Sequence, residues 1–194
     1  MMLRKFFLVP AVVTAIAAPS ALAQTASDTD SADVAINGYV SPLCILGEPT
    51  PATVDLGQLI ETSGARVGRI RTIPAQDVNL PDSFCNFAGS TVSISASALL
   101  SAGTTTPPSG FARAVNFTAT ASGWASGDSS ATTAASADGS TPTASGSGGT
   151  QPLPNLADIG VQLAGFTVPG DALLVADTYS GLVTVTLGPA ALAN

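Results

Sequence analysis

Residues 91–98 read Thr-Val-Ser-Ile-Ser-Ala-Ser-Ala. Val92, Ile94, Ala96 and Ala98 fall on one parity, and Thr91, Ser93, Ser95 and Ser97 on the other. A period of two suits a half-buried β-strand and no helix. Shorter runs repeat it: Val34, Ile36 and Val40 leading to Cys44 and Leu46, then Val54-Asp55-Leu56-Gly57, then Val67 to Ile73. Val78 and Leu80 run toward Cys85, and Phe111, Val115 and Phe117 follow, as do Ile159, Val161 and Leu163. The last run is Tyr179 to Leu187, where Val183, Val185 and Leu187 oppose Thr184 and Thr186. No stretch beyond residue 23 combines a 3.6-residue period with helix caps. Many short strands parted by Gly/Pro turns predict an all-β sandwich or barrel, one domain over 34–194.

The first 23 residues have the character of an export signal. Arg4 and Lys5 form the positive start, Phe6 to Ala18 the apolar core, and Ala21-Leu22-Ala23 the small-x-small cleavage pattern. An apolar core of this length is too short for a bilayer, which needs about 20 residues. The processed chain is therefore expected to begin near Gln24, to pass through the periplasm, and to reach the cell surface or the medium with no membrane insertion. Residues 24–33, QTASDTDSAD, read as a flexible acidic tail. The processed chain carries four arginines against thirteen acids, a net charge of −9. Such a chain repels nucleic acid and anionic lipid, so neither is an expected partner.

Cys44 and Cys85 are the two cysteines. An even count in an exported chain reads as one disulfide. Closing a loop of about 41 residues contributes roughly 4 kcal/mol on the chain-entropy account. Residues 120–152 stand apart, because 27 of these 33 are Ser, Thr, Ala or Gly and Trp124 is the one large side chain. That composition buries little apolar surface, so the segment is expected to be a surface excursion with mobile parts.

General acid–base and nucleophilic catalysis lean on His, Lys or Cys held beside a partner. The processed chain has no His, no Lys and no cysteine outside the expected disulfide. No catalytic residue, metal ligand or cofactor is expected, and the chain reads as a non-enzyme. Arg66, Arg69 and Arg71 form the one basic cluster. They read either as an edge strand protected by charge or as a contact patch for an acidic partner surface.

Three features together resemble the chaperone–usher pilins and the related spore-coat-U-like secreted domains. They are Gly38-Tyr39-Val40-Ser41-Pro42-Leu43-Cys44 followed by Val54-Asp55-Leu56-Gly57, the strand Val78 to Cys85 ending on a second cysteine, and the C-terminal Tyr179 to Leu187. The resemblance implies an immunoglobulin-like, pilin-like β-sandwich lacking its last strand. A periplasmic chaperone, and then the N-terminal segment of the next subunit, would fill that gap by strand addition. It also implies that Tyr179, Val183, Val185 and Leu187 belong to the assembly strand. Gln24 to Asp33 offers almost no apolar side chains, so Val34 and Ile36 are left as the donor residues. The implied function is a structural subunit of a surface appendage or coat, with other copies or related subunits as partners. The residues leave a second function open, a self-complete secreted surface protein or adhesin that binds a ligand as a monomer.

Overall fold

The structure, a computed structural model, describes residues 31–190. The stretch expected to be an export signal, residues 1–23, and most of the expected acidic tail lie outside the described residues. Residues 31–39 belong to a unit separate from the body, which begins at Val40. They form no strand, and Val34 and Ile36 are 83% and 93% exposed. The strand expected from Val34 onward is therefore confined to Cys44–Ile45, because alternation makes a strand only where something covers one face.

The body is all-β. Its strands are β1 (Cys44–Ile45), β2 (Gln76–Cys85), β3 (Ser90–Ser101), β4 (Phe111–Ala112), β5 (Ala114–Ser122), β6 (Ser129–Thr132), β7 (Thr143–Gln151), β8 (Asn155–Thr167), β9 (Leu173–Leu174) and β10 (Tyr179–Pro189). Eight of them form one antiparallel sheet that comes close to closing on itself. Its order is β1-β2-β8-β5-β3-β10, with β6 added to β5 and β7 to β3. β5 is the corner: Ala114 and Val115 pair with β3, while Asn116 to Ser122 pair with β8. β4 and β9 form a separate parallel pair.

The period-two faces meet in the middle. Val92, Ile94 and Ala96 of β3 pack with Leu80 of β2, Ile159 and Val161 of β8, and Phe117, Ala119 and Ala121 of β5. Phe117 and Phe166 stack with ring centroids 5.7 Å apart. Burying a branched or aromatic side chain contributes about 1.5–3 kcal/mol, so this cluster holds the two halves together. Cys44 and Cys85 are joined across directly paired positions of β1 and β2.

Two of the expected strands are absent. Residues 54–57 form no ladder, with Val54 and Leu56 half-buried and Gly57 at a positive φ of 62°. Residues 67–73 contribute only the isolated bridges Ile60↔Ile70 and Glu61↔Val67. Gly64 and Gly68 adopt positive φ there, at 78° and 81°, and turn the chain away from a regular strand.

The larger correction concerns 120–152. Instead of a surface excursion, this stretch supplies the end of β5 and the strands β6 and β7, with Ser129, Ala131, Thr133 and Ala135 buried. Trp124 is 2% exposed. Its carbonyl accepts hydrogen bonds from Gln151 Nε2 at 2.7 Å and Asn155 Nδ2 at 3.2 Å. Close approach explains why the composition misleads. A Cβ on Gly146 would lie 1.9 Å from the Ser130 carbonyl oxygen, and one on Gly148 2.7 Å from that of Gly127. Ser129 Oγ donates to the Gly146 carbonyl at 2.9 Å, and the Gly149 amide donates to Gly127 at 3.1 Å. Small residues here let the two halves of the sheet touch through backbone.

Candidate functional site

On the side away from β6 and β7, β10 ends the sheet. Among the described residues it pairs only with β3, from Tyr179↔Ser101 to Pro189↔Ser90, and its second edge has no ladder partner. Its alternation sends Val183, Val185 and Leu187 inward, half-buried against the core, and Thr184 and Thr186 outward. The register slips between Ser180 and Leu182. At this slip a Cβ on Gly181 would come within 2.8 Å of the Ser97 carbonyl oxygen.

Beside this edge lies a groove of about 650 Å³. β10 is one wall, and Leu99, Phe117, Val161, Leu163 and Phe166 form the floor. The opposite wall is the irregular segment 46–56, which turns Leu46, Val54 and Leu56 toward the cavity. Core side chains are thus reachable from outside between this segment and β10.

The segment has no strand of its own, yet several contacts hold it in place. The disulfide anchors its start. The Gly47 amide donates to Ser83 Oγ at 3.1 Å, and a Cβ at Gly47 would fall 1.8 Å from the Pro81 carbonyl oxygen, so only glycine lies this near β2. Thr50 and Asn79 exchange backbone hydrogen bonds of 2.8 and 2.9 Å. Arg71 donates to the carbonyls of Leu56, at 2.8 Å, and of Gln58. Tyr179 closes one end of the groove. Its hydroxyl donates to the Val175 carbonyl at 2.9 Å, and burial pushes its pKa up to about 12, so it stays neutral.

The expected site residues divide unevenly. Tyr179, Val183 and Val185 line the groove, and Leu187 continues their row against the core. Val34 and Ile36 lie in the separate unit, exposed and unpaired. The arginines do not lie on the expected edge strand, since residues 67–73 contribute only isolated bridges. Arg66 and Arg69 both reach Asp171, at 2.8 and 3.1 Å, while Arg71 serves backbone carbonyls. The hydrogen bond from Arg66 holds the Asp171 carboxyl below its ordinary range. The cluster ties the 58–71 region to the Pro169–Asp171 turn, which leaves little of it as a patch of unengaged charge.

Sequence reasoning read Leu46 and Val54 to Gly57 as strand rather than as an irregular groove wall, and missed the floor residues Leu99 and Phe166. The signal for the irregular wall was the pairing of Gly47 with Pro49 and Pro51, which marks a chain that runs beside a sheet without joining it. No family model, curated protein or solved structure matches this chain.

Proposed function

We propose that this chain is a pilin-like structural subunit of a cell-surface appendage or coat, and that it assembles by β-strand addition. One observation carries the reading: an unpaired strand edge, β10, runs beside an apolar groove that leads to the core. A free edge offers unpaired amides and carbonyls, and an apolar groove offers sites for alternate side chains. One extended segment meets both needs at once. The order β1-β2-β8-β5 with β10-β3-β7 is compatible with an immunoglobulin-like sandwich that lacks one strand between β10 and β1. The disulfide between β1 and β2 agrees with the same reading.

The occupant in a finished assembly is the exposed run around Val34 and Ile36 of another copy or a related subunit, and a periplasmic chaperone holds the site in transit. Each branched side chain seated in the groove contributes about 1.5–3 kcal/mol. The test is expression of the processed chain without partners. It is expected to be unstable or oligomeric and to become a soluble complex when a peptide spanning Ser31 to Pro42 is supplied. A monodisperse, cooperatively unfolding monomer that ignores the peptide would mean a self-complete surface protein and end the assembly reading.

A further inference from the structure

A second cavity lies on the opposite face of the first half of the sheet. On β8, Ile159 and Val161 point into the core, so Gly160 and Gln162 point outward. Their neighbours in register are Asp77 and Asn79 on β2 and Thr120 and Ser122 on β5. Gly160 carries no side chain at the centre of this array, and the face sinks into a hollow of about 510 Å³, bounded at its margins by Thr50 and Asp128.

The lining selects a class of ligand. It holds two carboxylates, two amides and three hydroxyls and no cationic side chain, so an anionic ligand finds no countercharge. An apolar ligand would strip water from these groups without replacing its hydrogen bonds. The amides already donate within the protein: Gln162 Nε2 to Asp77 Oδ1 at 3.1 Å, and Asn79 Nδ2 to Asp158 Oδ2 at 3.0 Å. What the lining leaves without a partner among the described residues is rich in acceptors, the second oxygen of Asp77, both oxygens of Asp128 and the two amide oxygens. Such a surface suits a molecule with several adjacent hydroxyl donors, and hydroxyls at Thr50, Thr120 and Ser122 can answer its acceptors.

We infer that this hollow binds a neutral saccharide, with the ring lying over Gly160 and its hydroxyls on Asp77 and Asp128. The site is shallow and wet, so dissociation constants on the order of 1 mM are expected. Because Gly160 and Val161 face opposite sides of the sheet, occupying the core-side groove leaves this site open, and the two readings stand or fall separately.

The experiment is saturation-transfer NMR on the folded chain in whatever assembly state it is recovered. The probes are glucose, galactose, mannose and N-acetylglucosamine and their β-linked disaccharides, with spermidine and inorganic phosphate alongside. At least one sugar is expected to bind, and Gly160→Val to weaken it at least tenfold with the melting temperature kept. A Cβ at 160 meets only Ser122 Oγ, at 3.7 Å, so the strand has room for the side chain that fills the hollow. Should that variant not fold, Asp77→Asn with Asp128→Asn reads the same site and is expected to weaken binding several-fold. Binding of spermidine or phosphate in place of every sugar, no sugar binding, or sugar binding that ignores these changes overturns the inference.

Discussion

The two flanks of the sheet solve one problem in opposite ways. At the β6–β7 flank, Gly146, Gly148 and Gly149 bring the halves so close that no Cβ fits between them. At the β10 flank, Val183, Val185 and Leu163 stand apart across an open groove. The flank poorest in apolar side chains is the sealed one, and the flank richest in them is open. Closure in this fold follows from how near two backbones can come. Large side chains at an edge hold the halves apart.

The harshest way to break this contrast is to delete Ser126 to Gly149, which removes β6 and most of β7. Despite the low cost expected for shortening a loop, the variant is expected to lose cooperative unfolding in urea. Retention of a full-amplitude transition would mean the sealed flank is dispensable. A single Gly146→Val is the finer version. Its branched side chain must displace the Ser130 backbone, and a loss of about 3 kcal/mol is expected, seen as a lower urea midpoint at unchanged slope.

At the open flank the sign reverses, because added apolar bulk should stabilise. A peptide spanning Ser31 to Pro42, at 100 times its dissociation constant, is expected to raise stability by about 2.7 kcal/mol. Val185→Asp is expected to abolish that gain, since the seated peptide would bury a lone carboxylate. In the unfilled chain Val185 is only half-buried, so the same change should cost far less. Equal losses with and without peptide would show that the groove is ordinary core.

The smallest effect is expected from pH at the turn before β7. Hydrogen bonds from Ser136 and Ser140 lower the Asp138 carboxyl from an ordinary 3.8 to about 2. A depressed carboxylate supports the fold fully above its unfolded value, and this support is lost as pH falls through about 2. Carbon-detected NMR should find Asp138 titrating near 2, and Asp138→Asn should remove that dependence while leaving peptide binding alone. Titration near 4 would show the turn to be loosely held.

Much of the frame was legible because its signals are hydrophobic. Val92, Ile94 and Ala96 announce β3, Val183 and Val185 announce β10, and an even count of two cysteines announces their bond. The sealed flank was illegible for the same reason. Gly146 acts by what it lacks, and a rule that reads apolar content scores such a strand as a loop. Residues 34–40 misled in the other direction, since Val34, Ile36 and Val40 alternate like a strand but have no partner ladder. Only half of the candidate site could be read. Its β10 wall has a periodic pattern, whereas the 46–56 wall is irregular chain whose alternation at Val54 and Leu56 reads as a strand, and the disulfide, Ser83 and Arg71 contacts that hold it leave no mark in that pattern.

The single-partner edge of β10 also sets a clock. In an antiparallel pair only alternate residues of a strand aim their amides at the neighbour, and the rest point the other way. Along Tyr179 to Pro189 the amides aimed at β3 are sheltered, and those between them face solvent at the free edge. Deuterium should therefore enter this strand in an every-other-residue pattern, fast and slow. Seating a strand in the groove would slow the fast set alone, so occupancy is written amide by amide along β10.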